Sequence, residues 1–151
     1  MIYFDLDGVL AKWRNVPVWI THLPLYFLFL RKDRAAAALL LSLMKAGYPV
    51  GILSKAYNRR AAFEKRLWVR LLVGKVPVIV VPYGESKLSY VSDENAILID
   101  DYTPNLREWI LSGRTGIKYK NGLNGKKWTG LSVSYDMPVQ MALSIVTAAA
   151  S

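Results

Sequence analysis

Hydrophobic positions along this chain fall into short blocks rich in Val and Ile. Longer stretches, in which apolar residues recur at helical spacing, separate them. The short blocks predict strands at Ile2 to Leu6, Val50 to Ser54, Val78 to Val81, Ala96 to Ile99 and Gly116 to Tyr119. The periodic stretches predict helices at Arg34 to Ala46, Asn58 to Leu72 and Pro104 to Leu111, with a final amphipathic helix from Met137 to Ala150. End signals agree: Gly47 follows the first helix, and Thr103-Pro104 is suited to cap and open the third. Between Asn121 and Gly130 the chain is rich in Gly and Lys and predicts an exposed loop.

Each strand block is apolar throughout rather than alternating, the pattern of a strand covered on both faces. Strand, helix, strand in repetition implies parallel pairing through right-handed crossovers. The expected fold is therefore α/β, a Rossmann-like parallel sheet of five strands with helices on both faces. A length of 151 residues suits one domain spanning 1–151. In such sheets ligands bind outside the carboxyl ends of the strands, so an enzyme should gather its polar residues there. Asp5 and Asp7 close the first strand, Ser54 the second, and Asp100 and Asp101 the fourth, while the loop after the third holds Glu85, Ser86 and Lys87.

Composition narrows the chemistry. The absence of cysteine excludes disulfides, thiolate metal sites and cysteine nucleophiles, and a single histidine, His22, argues against zinc. A net charge of +9 attracts phosphate-bearing ligands, nucleotides and nucleic acid among them, but it is equally ordinary in a soluble basic protein. It therefore serves only to rank substrates. Ile2-Tyr3-Phe4 follows Met1 with no basic region, which predicts no secretory signal. The apolar segment Val16 to Leu30 is shorter than the roughly 20 residues of a membrane span and contains Pro17, His22 and Pro24. A cytoplasmic protein with no membrane span is expected.

Carboxylates converging at the strand ends repel one another unless a cation neutralises them. An all-oxygen set suits a hard divalent ion, and Mg²⁺ is the usual one where phosphate completes the shell. A carboxylate can also attack phosphorus, provided the charges of nucleophile and phosphate are screened. Lys87 is the candidate for that screening. Lys55 and Lys75 compete with it, but Lys87 alone follows the third strand and precedes the fourth by a helix-length gap. Ser54 offers a hydroxyl to phosphate, Lys55 its backbone N–H, and Gly8 a tight turn with backbone N–H groups facing the phosphate. Asp7 is placed to protonate the leaving oxygen and then to deprotonate water. The bland readings are an Asp-Gly turn, a Ser54 cap and solvated lysines.

Phe4-Asp5-Leu6-Asp7-Gly8-Val9-Leu10 resembles the first motif of the haloacid dehalogenase-like hydrolases. Leu53-Ser54-Lys55 resembles the second motif, Lys87 the third and Leu98-Ile99-Asp100-Asp101 the fourth, in the same order from Ile2 to about Tyr119. The resemblance implies Asp5 as nucleophile forming an aspartyl-phosphate and Asp7 as acid and base. It implies a magnesium site from Asp5, the Asp7 carbonyl and Asp101, with Asp100 and Asn105 ordering metal-bound water. More narrowly, Leu98 to Leu106 is similar to the 5′(3′)-deoxyribonucleotidase branch, which implies a nucleoside monophosphate as the small phosphorylated substrate.

Members of the family often carry a cap between the first two motifs, and here residues 11–33 would form a small cap insert. It holds Trp13, Trp19, Tyr26, Phe27 and Phe29, with Lys12 and Arg14 at its start. These rings are expected either to pack on the core or on a second subunit, or to form a lid on which a base stacks while Arg14 meets phosphate or sugar. His22 is expected to be structural or at the cap surface. A cap this short leaves the site open, which also admits the phosphorylated ends of nucleic acid. Two other functions are therefore carried forward, a nucleic-acid end phosphatase and a non-catalytic partner-binding protein on the same fold.

Overall fold

Strand β1 (Ile2–Phe4) is buried at every position and occupies the middle of the sheet, as a strand with no polar face must. In this computed structural model, which describes residues 1–124 and 127–151, β1 pairs in parallel with β2 (Val50–Ala56) on one side. On the other side it pairs in parallel with β4 (Ile97–Asp100). Outside these lie β3 (Val78–Pro82), β5 (Thr115–Lys120) and β6 (Ser132–Ser134), in the order β3-β2-β1-β4-β5-β6, every pairing parallel.

The sheet is thus the expected Rossmann-like one, with six strands instead of five. The sixth, Ser132-Val133-Ser134, has one apolar residue and so gives no hydrophobic run to read; only Val133 is buried, while backbone pairing to Lys118–Lys120 makes the strand. Strand β1 also ends earlier than predicted, at Phe4, although the Asp5 N–H still donates to Ile99 O at 2.9 Å.

Alternation along the strands divides the core in two. Tyr3, Leu53 and Leu98 point to one face, where α4 (Thr103–Leu111) covers them with Leu106 and Trp109. Phe4, Ile52 and Ile99 point to the other, under α2 (Arg34–Lys45), α3 (Arg59–Leu72) and α5 (Val139–Ala150). Helices therefore cover both faces. Helix α4 begins at its expected cap, one residue early: Tyr102 is the N-cap, and the Thr103 hydroxyl accepts from Lys118 Nζ at 2.9 Å instead of capping.

Residues 11–33 leave and re-enter the fold at one stem. The Lys12 N–H donates to Arg31 O at 2.8 Å, and the Asp33 N–H donates to Leu10 O at 2.7 Å. Between these ends lie the short helix α1 (Val18–Thr21) and a 3₁₀ turn at Phe27–Phe29. The returning half runs alongside α3 and is tied to it every fourth residue. Arg60 donates to His22 O, Glu64 accepts from the Leu25 N–H at 2.8 Å, Trp68 Nε1 donates to Leu30 O at 2.9 Å, and Leu72 O accepts from Lys32 at 2.9 Å. One face of α3 thus satisfies backbone groups that an irregular segment cannot pair by itself.

Asp33 ends the segment and starts α2. Its Oδ1 accepts from the Ala36 N–H at 3.0 Å, capping the helix, and from the Tyr119 hydroxyl of β5 at 2.8 Å. Loss of an N-cap costs about 1 kcal/mol, and an orphaned buried hydroxyl about 1–3 kcal/mol. Asp33→Ala is therefore expected to lower the unfolding free energy by roughly 2–4 kcal/mol in urea titrations, with Tyr119→Phe in the same background adding little.

Candidate active site

Three carboxylates meet at the carboxyl edge of the two central strands. Asp5 follows β1, Asp100 ends β4 and Asp101 follows it, and one oxygen from each lies within 4.8 Å of the others. Lys87 stands between two of them. It opens a 3₁₀ turn at Lys87–Tyr90 whose N-cap, Ser86, accepts from the Leu88 N–H at 3.1 Å. Its Nζ donates to Asp5 Oδ1 at 2.9 Å and to Asp100 Oδ2 at 2.7 Å, while its competitor Lys75 is exposed. Burial works against the Lys87 charge, yet Asp100 and Asp5 together hold it well above the usual lysine range.

Asp100 is fully buried and engaged on both oxygens: the Tyr102 N–H donates to Oδ1 at 2.8 Å and Asn105 Nδ2 to Oδ2 at 2.9 Å. Asp101 sits above it. Its Oδ2 accepts from Asn121 Nδ2 at 3.1 Å and Asn124 Nδ2 at 3.0 Å, and its carbonyl from Lys118. The predicted loop from Asn121 therefore turns two side chains inward. Gly122 and Leu123 are exposed, and Gly125 and Lys126 lie outside the described residues.

Asp5, Asp7, Lys55, Lys87, Asp101 and Asn105 line one cleft of about 640 Å³, and Trp13 stands at its wall. Ser54 is buried behind this lining, while Arg14 is exposed outside it. Gly8 needs a correction. Its N–H donates to Ala11 O at 2.8 Å and is not available to a phosphate. The residue is required for space instead. Its φ is +80°, and a β-carbon there would stand 2.2 Å from Asp101 Oδ2.

The aromatic residues of the insert take different places. Phe27 is buried and faces the cleft, Tyr26 packs against the core, and Trp19 and Phe29 are exposed. His22 is also exposed and stacks on Tyr57 at 4.6 Å, and Tyr57 stacks on Tyr83 at 4.4 Å; both tyrosines line the cleft.

Lys65 was not among the expected site residues. It comes from α3, is 2 % exposed, and donates to Asp7 Oδ2, to the Lys55 carbonyl and, at 3.4 Å, to Ser54 Oγ. A signal for it exists in the sequence. The buried face of α3 is Ala61, Glu64, Lys65, Trp68 and Val69, so two charged residues stand where helical spacing calls for apolar ones. Asn121, Asn124, Tyr57 and Tyr83 lie on loops and carried no such mark.

The residues present fit a divalent cation. Burial, with Asp5 and Asp100 beside it, pushes the Asp101 carboxyl up to about 8. Burial likewise pushes Asp5 up to about 6 against the pull of Lys87, with Asp100 and Asp7 adding to the rise. The ammonium of Lys87 covers Asp5 and Asp100, and the side chains on Asp101 are amides. All donors are hard oxygens, the set that suits Mg²⁺.

No family model and no curated protein matches this sequence. Solved structures do. The chain is similar to the D,D-heptose 1,7-bisphosphate phosphatase from Burkholderia thailandensis, with a TM-score of 0.63 at 13% identity over 97% of each chain. It is also similar to an uncharacterized protein from Corynebacterium glutamicum, with a TM-score of 0.50 at 18% identity, over 99% of this chain and 93% of that one. The likeness is one of fold. No helix among the described residues is long and apolar enough to cross a membrane.

An aspartate whose folded pKa exceeds its unfolded value destabilises the fold as it ionises. The metal-free protein should therefore lose stability as pH rises from about 4, the unfolded value, towards about 8, the Asp101 value. A cation bound to the ionised form offsets that loss. Mg²⁺ is accordingly expected to raise the thermal midpoint more at pH 8 than at pH 5.5; equal shifts would remove Asp101 from the ligand set. Gly8→Ala should abolish the shift at both pH values and cost upwards of about 1 kcal/mol of stability.

Proposed function

We propose that this chain is a magnesium-dependent phosphomonoester hydrolase that forms an aspartyl-phosphate on Asp5. The observation that carries the reading is the Asp5, Asp100 and Asp101 cluster, in which Lys87 bridges Asp5 to Asp100 and both Asp5 and Asp101 line an open cleft. A fold shared with a phosphatase supports it. Asp5, the Asp7 carbonyl and Asp101 would hold Mg²⁺, with Asp100 and Asn105 ordering its water. The metal supplies charge neutralisation at the phosphate.

The protein's own groups account for the rest. An Asp5 oxygen attacks phosphorus in line with the leaving oxygen, and Lys87 screens its charge against the incoming phosphate. The Lys55 N–H meets the phosphate oxygens, while Ser54, behind the cleft lining, is in contact with Lys65. Asp7 gives its proton to the leaving oxygen as the phosphorus–oxygen bond breaks. Water then attacks phosphorus, loses a proton to Asp7 and frees Asp5.

Residues 11–33 act as a small cap on a single domain of residues 1–151, with Trp13 and Arg14 as substrate contacts. The ladder of His22, Tyr57 and Tyr83 beside the cleft favours a planar leaving group, which supports a nucleoside monophosphate as the substrate. A second reading, action on phosphorylated ends of nucleic acid, is favoured by the charge distribution. Across residues 12–75 the only acidic side chains are Asp33 and Glu64, both buried, among many Lys and Arg.

Phosphate release from an aryl phosphate, nucleoside monophosphates, sugar phosphates and a 5′-phosphorylated oligonucleotide is the test. Turnover should require Mg²⁺ and fall more than about a thousandfold in Asp5→Asn. Nucleoside monophosphates should lead the panel, whereas a lead for the oligonucleotide that collapses with salt selects the second reading. A folded, Mg²⁺-binding protein inert on every monoester sinks the hydrolase reading and leaves a binding role.

A further inference from the structure

Lys65 is a buried cation for which the reaction described above has no use. It reaches the site from outside the four sequence motifs, from the middle of α3. Its Nζ makes a salt bridge to Asp7 Oδ2, donates to Lys55 O and Ser54 Oγ, and lies 4.6 Å from the centroid of the Phe27 ring. The other oxygen of the same carboxylate, Asp7 Oδ1, is buried and has no hydrogen-bond partner among the described residues. A carboxylate is thus held by one oxygen while its second is kept free of protein donors.

We propose that Lys65 is a positioning residue for proton transfer by Asp7, an inference that rests on the hydrolase reading. Pinned by Lys65, the Asp7 carboxylate is held in one orientation at the cleft wall. In the first half-reaction an Asp5 oxygen bonds to phosphorus, the bond from phosphorus to the leaving oxygen breaks, and the proton on the Asp7 carboxyl passes to that oxygen. The negative charge left on Asp7 appears next to the Lys65 ammonium, which is already in place and needs no reorganisation. In the second half-reaction the water oxygen bonds to phosphorus, its proton passes to the Asp7 carboxylate, and the bond between phosphorus and Asp5 breaks. Lys65 itself keeps its protons throughout. Its bonds to Ser54 and Lys55 fix Asp7 relative to the end of β2, and Phe27 closes its remaining side.

A leaving group that needs no proton separates this role from a structural one. An aryl phosphate with an acidic phenol leaves as the anion, whereas an alkyl phosphate depends on the proton from Asp7. Lys65→Met is expected to lower kcat on an alkyl monophosphate about 100-fold and on p-nitrophenyl phosphate less than about 10-fold, the scale of general-acid catalysis. Lys65→Arg, which keeps the charge but shifts the donors, should recover part of the alkyl activity. In an Asp7→Asn background, Lys65→Met should add little to the loss on the aryl substrate.

Equal losses on both substrates, or full additivity with Asp7→Asn, would overturn the proposal and make Lys65 a structural residue. If Lys65→Met fails to fold by circular dichroism, Lys65→Gln, which keeps a donor and loses the charge, must show the same selective loss. Failure of the hydrolase reading looks different, because the wild-type protein would then turn over neither substrate with Mg²⁺.

Discussion

Crowding of negative charge at the end of two adjacent strands is the constraint around which this molecule is arranged. Asp5 and Asp100 are side by side because β1 and β4 are paired in parallel, with Phe4 opposite Ile99. Their charges are tolerated in a buried place because Lys87 bridges them. Breaking such a pair on one side leaves an uncompensated buried charge, a loss on the order of 3–5 kcal/mol. The turn that carries Lys87 and the helix that supplies Asn105 are both fixed by this cluster. Gly8 follows the same logic, since the carboxylate of Asp101 occupies the space that any side chain there would need.

The sheet was legible because strands β1 to β4 carry unbroken apolar stretches and β5 carries Ile117 and Tyr119, as strands covered by helices do. Asp5, Asp100, Asp101 and Lys87 were legible because chain topology alone puts the residues after parallel strands at one edge. Strand β6 was not. A strand of two serines and a valine is defined by its neighbour's backbone, which no local pattern records. That the Gly8 N–H is taken up by Ala11 was not legible either, because it depends on how the chain turns and not on which residues are present.

Lys65 lies between these cases. Its position on the apolar face of α3 marked it as buried, but its partners come from Asp7 and from the end of β2, which are remote in sequence. A charged residue at such a position is a question put by the sequence that only the tertiary structure answers. Glu64, its neighbour, answers it differently. The Glu64 carboxylate accepts from the backbone of the insert at Leu25 and Phe27 and never enters the cleft. Consecutive charged residues on one helix thus hold the wall of the cleft and reach its floor.

The stem that closes residues 11–33 has an evolutionary corollary. Because the ends of that segment are joined to each other at Lys12 with Arg31 and at Leu10 with Asp33, the distance between them does not depend on what lies between. The entropy of closing a loop grows only logarithmically with its length, by about 0.6 kcal/mol for each doubling. Residues can accordingly be gained or lost at the tip, near α1, without moving the strand that carries Asp5 or the helix that starts at Asp33. The tip of this segment and the carboxylates at the strand ends can therefore change independently of one another.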